Sequence, residues 1–223
     1  MMNGWILLVL SYFVGSIPVG VMVAKARGID ITKEGSGNVG ATNIARVLGK
    51  KAGAVCLILD VLKGFVPALV FQVIVSRPIF GFGFPSQEFG LICGGLAMVG
   101  HMFSPFLKFK GGKGIATGLG MLVGSSPMVG GWVLLSFIVV AIPSRIVSLS
   151  SLVAVAVMVV AGLLLTPPPL FWGVYIALAA FIYYKHWPNI QRIIQGTEPK
   201  FSFGGGKKEE PLEKENAVDA SDS

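Results

Sequence analysis

The stretch NGWILLVLSYFVGSIPVGVMVA, residues 3–24, contains no acidic or basic side chain, and neither do the two methionines before it. An apolar run of this length reads as a membrane span. It does not read as a cleaved leader, which would want a positive amino-terminal segment and a small-residue cleavage site. Four more apolar runs follow, at residues 52–75, 89–106, 114–142 and 149–184. The last two are interrupted by Gly124-Ser125-Ser126-Pro127 and by Thr166-Pro167-Pro168-Pro169. Proline has no N–H to donate and disfavours a helical residue before it, so both interruptions read as turns. Splitting there yields an all-α integral membrane protein of seven transmembrane helices. The composition agrees: 53% of the 223 residues are hydrophobic and 13% charged, against about 25% charged in an ordinary soluble domain.

The charges orient these spans. One loop carries Lys25, Arg27, Lys33, Arg46, Lys50 and Lys51, and another carries Lys108, Lys110 and Lys113. Arg145 lies in a third, and Lys185, Arg192, Lys200, Lys207, Lys208 and Lys214 follow the last span. Seven crossings put all of these on one side, leaving only Arg77 opposite and Lys63 inside a span. Basic residues mark the cytoplasmic side. The expectation is therefore an outside N-terminus and a cytoplasmic C-terminus. Residues 114–142 are short for two full crossings, since 29 residues make about 44 Å of helix. Short helices, local thinning or a re-entrant hairpin would resolve this. Residues 204–223 carry three Lys against six Asp and Glu and almost nothing apolar. They read as a disordered appendage to a membrane domain at residues 1–203.

Three segments on the basic side are unlike ordinary loops. The first reads Gly35-Ser36-Gly37-Asn38-Val39-Gly40-Ala41-Thr42-Asn43-Ile44-Ala45-Arg46. Its glycines would let backbone N–H groups face an anion, Thr42 or Asn43 would cap the short helix that follows, and Arg46 adds a fork of donors. The second, Lys108-Phe109-Lys110-Gly111-Gly112-Lys113-Gly114, reads as a cationic cradle for a polyanion. It is not a P-loop, because Gly114 stands where Ser or Thr should follow the lysine. The third is His186-Trp187-Pro188-Asn189-Ile190-Gln191-Arg192, ending at Gly196-Thr197-Glu198. Blander readings exist for each: a flexible loop with a helix cap, a positive-inside anchor, an interfacial tryptophan beside an ordinary charge.

Inside the spans, Asp60 and Lys63 share a helical face, as a functional pair or as a mutually neutralising strut. His101 has the same ambiguity. Ser148, Ser150 and Ser151 beside Arg145 either line a polar pocket or start a helix. Cys56 and Cys93 read as core packing. Two His and two Cys, scattered along the chain, have no metal-ligand spacing. There is neither a Gly-x-Ser-x-Gly elbow nor a His-x-x-x-x-Asp pair. No internal repeat is evident, which counts against inverted-repeat transporters.

Ser36-Gly-Asn-Val-Gly-Ala-Thr-Asn-Ile-Ala-Arg46, Lys108-Phe-Lys-Gly-Gly-Lys-Gly114 and His186-Trp-Pro-Asn189 with Glu198 resemble, in order, the three cytoplasmic motifs of the bacterial acyl-phosphate:glycerol-3-phosphate acyltransferases. The resemblance covers about residues 3–203 and implies a compact seven-helix bundle with its active site at the cytoplasmic surface. It implies transfer of an acyl group from acyl phosphate to the 1-hydroxyl of glycerol 3-phosphate, giving lysophosphatidic acid and inorganic phosphate. Carried over residue by residue, Ser36, Asn43, Arg46, His186 and Asn189 would be catalytic. Asn38, Thr42, Lys108, Gly111, Gly112 and Lys113 would bind substrate, with Ser148 added from its place beside Arg145.

Cofactors and metals are not called for, and no nucleic-acid partner is expected. Partners would be the two substrates, membrane lipids, and functionally the enzymes that make acyl phosphate or use lysophosphatidic acid. Acyl phosphate is already a good acylating agent, so no covalent intermediate is needed. Either His186 or a substrate phosphate oxygen would take the hydroxyl proton. The rival readings are a transporter of a phosphorylated solute, which would want charges at a midplane site, and an inert scaffold for anionic lipids.

Overall fold

The computed structural model describes residues 4–75, 86–166 and 169–201, and within these the chain is helical. The first apolar run is not one helix. It forms α1 (Gly4–Ser16) and α2 (Val19–Lys25), separated at Ile17-Pro18. Pro18 lacks the N–H that would continue the ladder, so the apolar run stays continuous while the helix does not. Then come α3 (Ala41–Leu48), α4 (Lys50–Val75), α5 (Ser86–Met102) and a 3₁₀ turn (Pro105–Leu107). The remaining helices are α6 (Ile115–Ser125), α7 (Pro127–Ser144), α8 (Val147–Leu165), α9 (Pro169–Lys185) and α10 (Trp187–Ile194).

The breaks expected at residues 124–127 and 166–169 fall between α6 and α7 and between α8 and α9. The short-helix resolution of the 114–142 problem holds, because α6 has 11 residues, about 16 Å of helix. Among the described residues, five segments are long and apolar enough to cross a membrane: Gly4–Lys25, Lys50–Ile74, Gln87–Leu107, Pro127–Ser144 and Val147–Leu165. Two shorter apolar helices, Ile115–Ser125 and Phe171–Lys185, accompany them. Arg77 and residues 204–223, for which a position and an appendage role were expected, lie outside the described residues.

Hydrophobic side chains are displayed on the outside as well as the inside. Trp5, Ile58, Val73, Met128, Val139 and Leu164 are all more than half exposed, as lipid-facing positions should be, since lipid tails are as apolar as leucine. With little hydrophobic drive between helices, close backbone approach has to hold them. The α4–α6 crossing is built that way. A methyl group on Gly64 would overlap the Thr117 carbonyl, and one on Gly120 would overlap the Val61 carbonyl. The buried centre of α5–α9 is filled by Leu91, Met98, Met102, Met121, Met158 and Tyr175. Two short amphipathic helices, α3 and α10, lie outside the long apolar segments; α3 and the loop before it carry the first polar segment, and α10 with the residues on either side carries the third.

Candidate active site

The first segment is organised by one side chain. Asn43, 2% exposed, donates through Nδ2 to the carbonyls of Glu34 at 3.0 Å and Asn38 at 2.9 Å. Its Oδ1 accepts from the Ser36 N–H at 2.9 Å. This corrects the capping expectation: the N-cap of α3 is Gly40 in extended conformation, without a side-chain cap, and Thr42 and Asn43 lie inside the helix. Asn43 looks backward and folds residues 34–38 over the first turn. The N–H groups of Gly37 and Gly40 are also taken up internally, by the Glu34 carbonyl and by Asn38 Oδ1. The side chains of Ser36, Thr42 and Arg46, all exposed, are left as donors to an anion here.

The second segment follows the same logic. Lys108 and Phe109 adopt left-handed backbone angles with φ of 51° and 63°, a conformation that costs a non-glycine residue about 1–3 kcal/mol. Gly111 N–H donates to the Met102 carbonyl and Gly112 N–H to the His101 carbonyl, each at 3.1 Å. A methyl group on Gly111 would overlap the His101 carbonyl, and one on Gly112 the His101 ring. The N–H groups of Gly111 and Gly112 are thus taken up by the protein, and these glycines let the loop lie flat on the end of α5. Lys108 is exposed, while Lys113 is turned inward.

Lys113 leads into the third segment, where the polar groups form one connected chain. Its Nζ donates to Asn189 Oδ1 at 2.6 Å, and Asn189 Nδ2 donates to Glu198 Oε1 at 2.6 Å. Ser148 Oγ donates to the same carboxylate oxygen at 2.7 Å, and Arg192 Nε donates to Glu198 Oε2 at 2.7 Å. Ser150 and Ser151 do not join them; their hydroxyls bond back to Ile146 and Val147 of their own helix. Behind Glu198 the chain recrosses the α7–α8 turn, where Phe201 N–H donates to the Arg145 carbonyl at 2.7 Å. The hub of the network, Glu198, was legible in the sequence only as the end of the third segment. Nothing local assigns it a role, since its partners come from α8 and from both ends of α10.

His186 stands between α9 and α10, as the N-cap residue of α10, and is 2% exposed. Its Nδ1 lies 2.9 Å from the Ile182 carbonyl, which can only accept, so Nδ1 carries the proton and Nε2 keeps a lone pair. Burial, and after it the charge of Lys113, push the ring down to about 4, so it is neutral at physiological pH. Lys113 is pushed down to about 8, by burial first, with Glu198 pulling it back and Arg192 and Arg46 adding to the fall. Burial alone would raise Glu198; the hydrogen bonds from Ser148, Asn189 and Arg192 hold it below its ordinary value. The site is thus a fixed carboxylate, a neutral imidazole, and a set of cations from three segments. Among the described residues no group of His, Cys, Asp and Glu is arranged to hold a metal.

Fold and site together define a multi-pass helical membrane protein in which cations of three polar segments gather around the Lys113, Asn189 and Glu198 chain. Comparison with known proteins narrows this class. The glycerol-3-phosphate acyltransferase family model matches residues 5–196. The glycerol-3-phosphate acyltransferase of Geobacter sulfurreducens is 41% identical, covering 90% of this chain and 99% of that one. That of Geobacillus kaustophilus is 42% identical, covering 90% and 97%. Among solved structures, the glycerol 3-phosphate form of PlsY (YgiH), an integral membrane glycerol 3-phosphate acyltransferase, superposes with a TM-score of 0.80 at 37% identity, covering 89% of this chain and 96% of that one. Its lysophosphatidic acid form gives 0.77 with 89% and 95% covered. The chain belongs to the glycerol-3-phosphate acyltransferase family and is an acyltransferase enzyme.

Proposed function

We propose that the protein transfers an acyl group from acyl phosphate to the 1-hydroxyl of glycerol 3-phosphate, releasing lysophosphatidic acid and inorganic phosphate. The observation that carries this reading is the chain from Lys113 through Asn189 to Glu198, with Arg46 near enough to depress Lys113. Two cations held close, with the neighbouring Glu198 carboxylate already engaged by Ser148, Asn189 and Arg192, suit two phosphorylated substrates. Arg46, Lys108 and Lys113 bind phosphates; Lys113 takes that of glycerol 3-phosphate. Ser36 and Thr42 orient the reacting groups, and Asn43 and Asn38 hold the loop that carries Ser36. Gly111 and Gly112 set the height of the second loop, and Ser148 orients Glu198.

In the reaction the glycerol hydroxyl oxygen bonds to the acyl carbonyl carbon, and the resulting oxyanion is stabilised by the surrounding cations and N–H donors. Its collapse breaks the bond to the phosphate oxygen. The hydroxyl proton leaves with the phosphate, whose pKa near about 6 makes it the better base than an imidazole held at about 4. His186 accepts a hydrogen bond from the hydroxyl through Nε2 and aims it. Positioning and electrostatics supply the rate, and no enzyme-bound acyl group forms.

The same reading sets the protein in a bacterial inner membrane with α6 and α9 completing seven crossings, the N-terminus outside and the site cytoplasmic, in line with the basic loops. Enzymes that supply acyl phosphate and that consume lysophosphatidic acid would act beside it. The test is an end-point assay on detergent-purified protein. It offers glycerol 3-phosphate with palmitoyl phosphate or palmitoyl-CoA and follows phosphate and lysophosphatidic acid. Turnover with the phosphate alone is expected, and turnover with the thioester alone overturns the donor.

A further inference from the structure

Below the site, three ionisable side chains that the reaction does not use meet between α4 and α5. Asp60, Lys63 and His101 are each under 10% exposed. Lys63 Nζ is 2.9 Å from Asp60 Oδ1 and His101 Nδ1 is 3.7 Å from the same oxygen. A pair that merely cancelled its own charge would end there. This one does not. Lys63 Nζ also donates to the Ile17 carbonyl at 3.0 Å, and Ser104 Oγ donates to the Ser16 carbonyl at 2.7 Å. Those two carbonyls stand at the α1–α2 break, immediately before Pro18. On the other side, the His101 ring lies under Gly112 and the His101 carbonyl holds the Gly112 N–H, one residue before Lys113. The cavity between these groups, also lined by Val39 of the first segment, measures about 10 Å³. That is room for a single water, so the cluster acts through the backbone it touches and not by binding a solute.

We propose that Asp60, Lys63 and His101 form a positioning device that pins the second loop to the α1–α2 break and so sets Lys113 at the distance from Asn189 that glycerol 3-phosphate requires. The carboxylate packs against the His101 ring that floors the loop, and the ammonium group ties Asp60 to the first helix pair. Buried ionic groups are expensive in a membrane. Here they brace a loop whose backbone is left-handed at Lys108 and Phe109.

Asp60→Asn alone would strand the Lys63 charge, so the test replaces the pair together as Asp60→Leu with Lys63→Met, beside His101→Ala and Lys113→Ala. All are made in the full chain and purified in detergent. Thermal unfolding is measured next to KM and kcat for glycerol 3-phosphate. The neutral pair and His101→Ala are each expected to raise KM about tenfold while kcat and the unfolding midpoint move little. Combining the two should raise it no further, because both act along one path. Wild-type KM in either variant, additive effects, or a fall in both kinetic constants that tracks lost stability would overturn the inference. It rests on Lys113 binding the phosphate of glycerol 3-phosphate. Unchanged KM in Lys113→Ala would remove that assignment and the inference with it; raised KM in Lys113→Ala but not in His101→Ala removes the inference alone.

Discussion

Replacing Glu198 by glutamine alters one oxygen of a buried hub and leaves its shape intact. The carboxylate, 7% exposed, accepts from Ser148 and Asn189 on Oε1 and from Arg192 on Oε2. Glutamine keeps one carbonyl oxygen for the first two donors but sets an NH₂ group against Arg192 Nε, so donor meets donor. A hydrogen bond to a charged group contributes about 1.5–3 kcal/mol, and each 1.4 kcal/mol or so is tenfold in rate. If the loss is expressed in the alignment of Asn189 and Lys113, kcat/KM for glycerol 3-phosphate should fall about 10- to 150-fold. Glu198→Ala, which orphans all three donors, should fall further. Phosphate release at limiting glycerol 3-phosphate measures it. Glu198→Gln within about twofold of the parent, with normal thermal unfolding, would refute the hub: Asn189 would then be held without the carboxylate.

Lys113, with its pKa near 8, should lose its proton as pH rises through that value, so kcat/KM for glycerol 3-phosphate declines there. Lys113→Arg, charged throughout, should abolish that alkaline limb even if its overall rate is lower, and an unchanged limb would assign it to another group. For stability the sign is opposite: between about 8 and 10.5 the folded chain binds fewer protons at this site than the unfolded one, so raising pH relieves its burial penalty. His186→Gln should lower kcat by less than about 100-fold, because loss of a true general base costs about 10²–10⁴; a larger fall would make the imidazole the base. Gly64→Ala, which drives a methyl into the Thr117 carbonyl, should destabilise by about 1–3 kcal/mol, read as a lower unfolding temperature in detergent. Gly131→Ala, which meets nothing within 4 Å, is the neutral control, and equal shifts in the two would dismiss the close-crossing account.

What the residues determine unaided is whatever depends on a short window of chain. Partition into lipid is such a property, and so are the turns at Gly124–Pro127 and Thr166–Pro169, because solvent preference and the missing N–H of proline act locally. The same holds for the cations of the three polar segments and for the candidates Lys113, His186, Asn189 and Ser148, which could be picked out as residues without knowing what they touch. Pro18 lies within an apolar run, where hydropathy hides a break that only the path of α1 and α2 reveals. The inward turn of Asn43 and the packing role of Gly111 and Gly112 belong to tertiary structure as well. The N–H groups of Ser36, Gly37, Gly40, Gly111 and Gly112 are satisfied within their loops or by the end of α5, so these donors are not free to meet an anion. Lys113 finds Asn189 across 76 positions, and Ser148 finds Glu198 across 50. A buried polar group must have a partner, and which partner stands within 3 Å or so is decided by how helices cross, which no window of sequence contains.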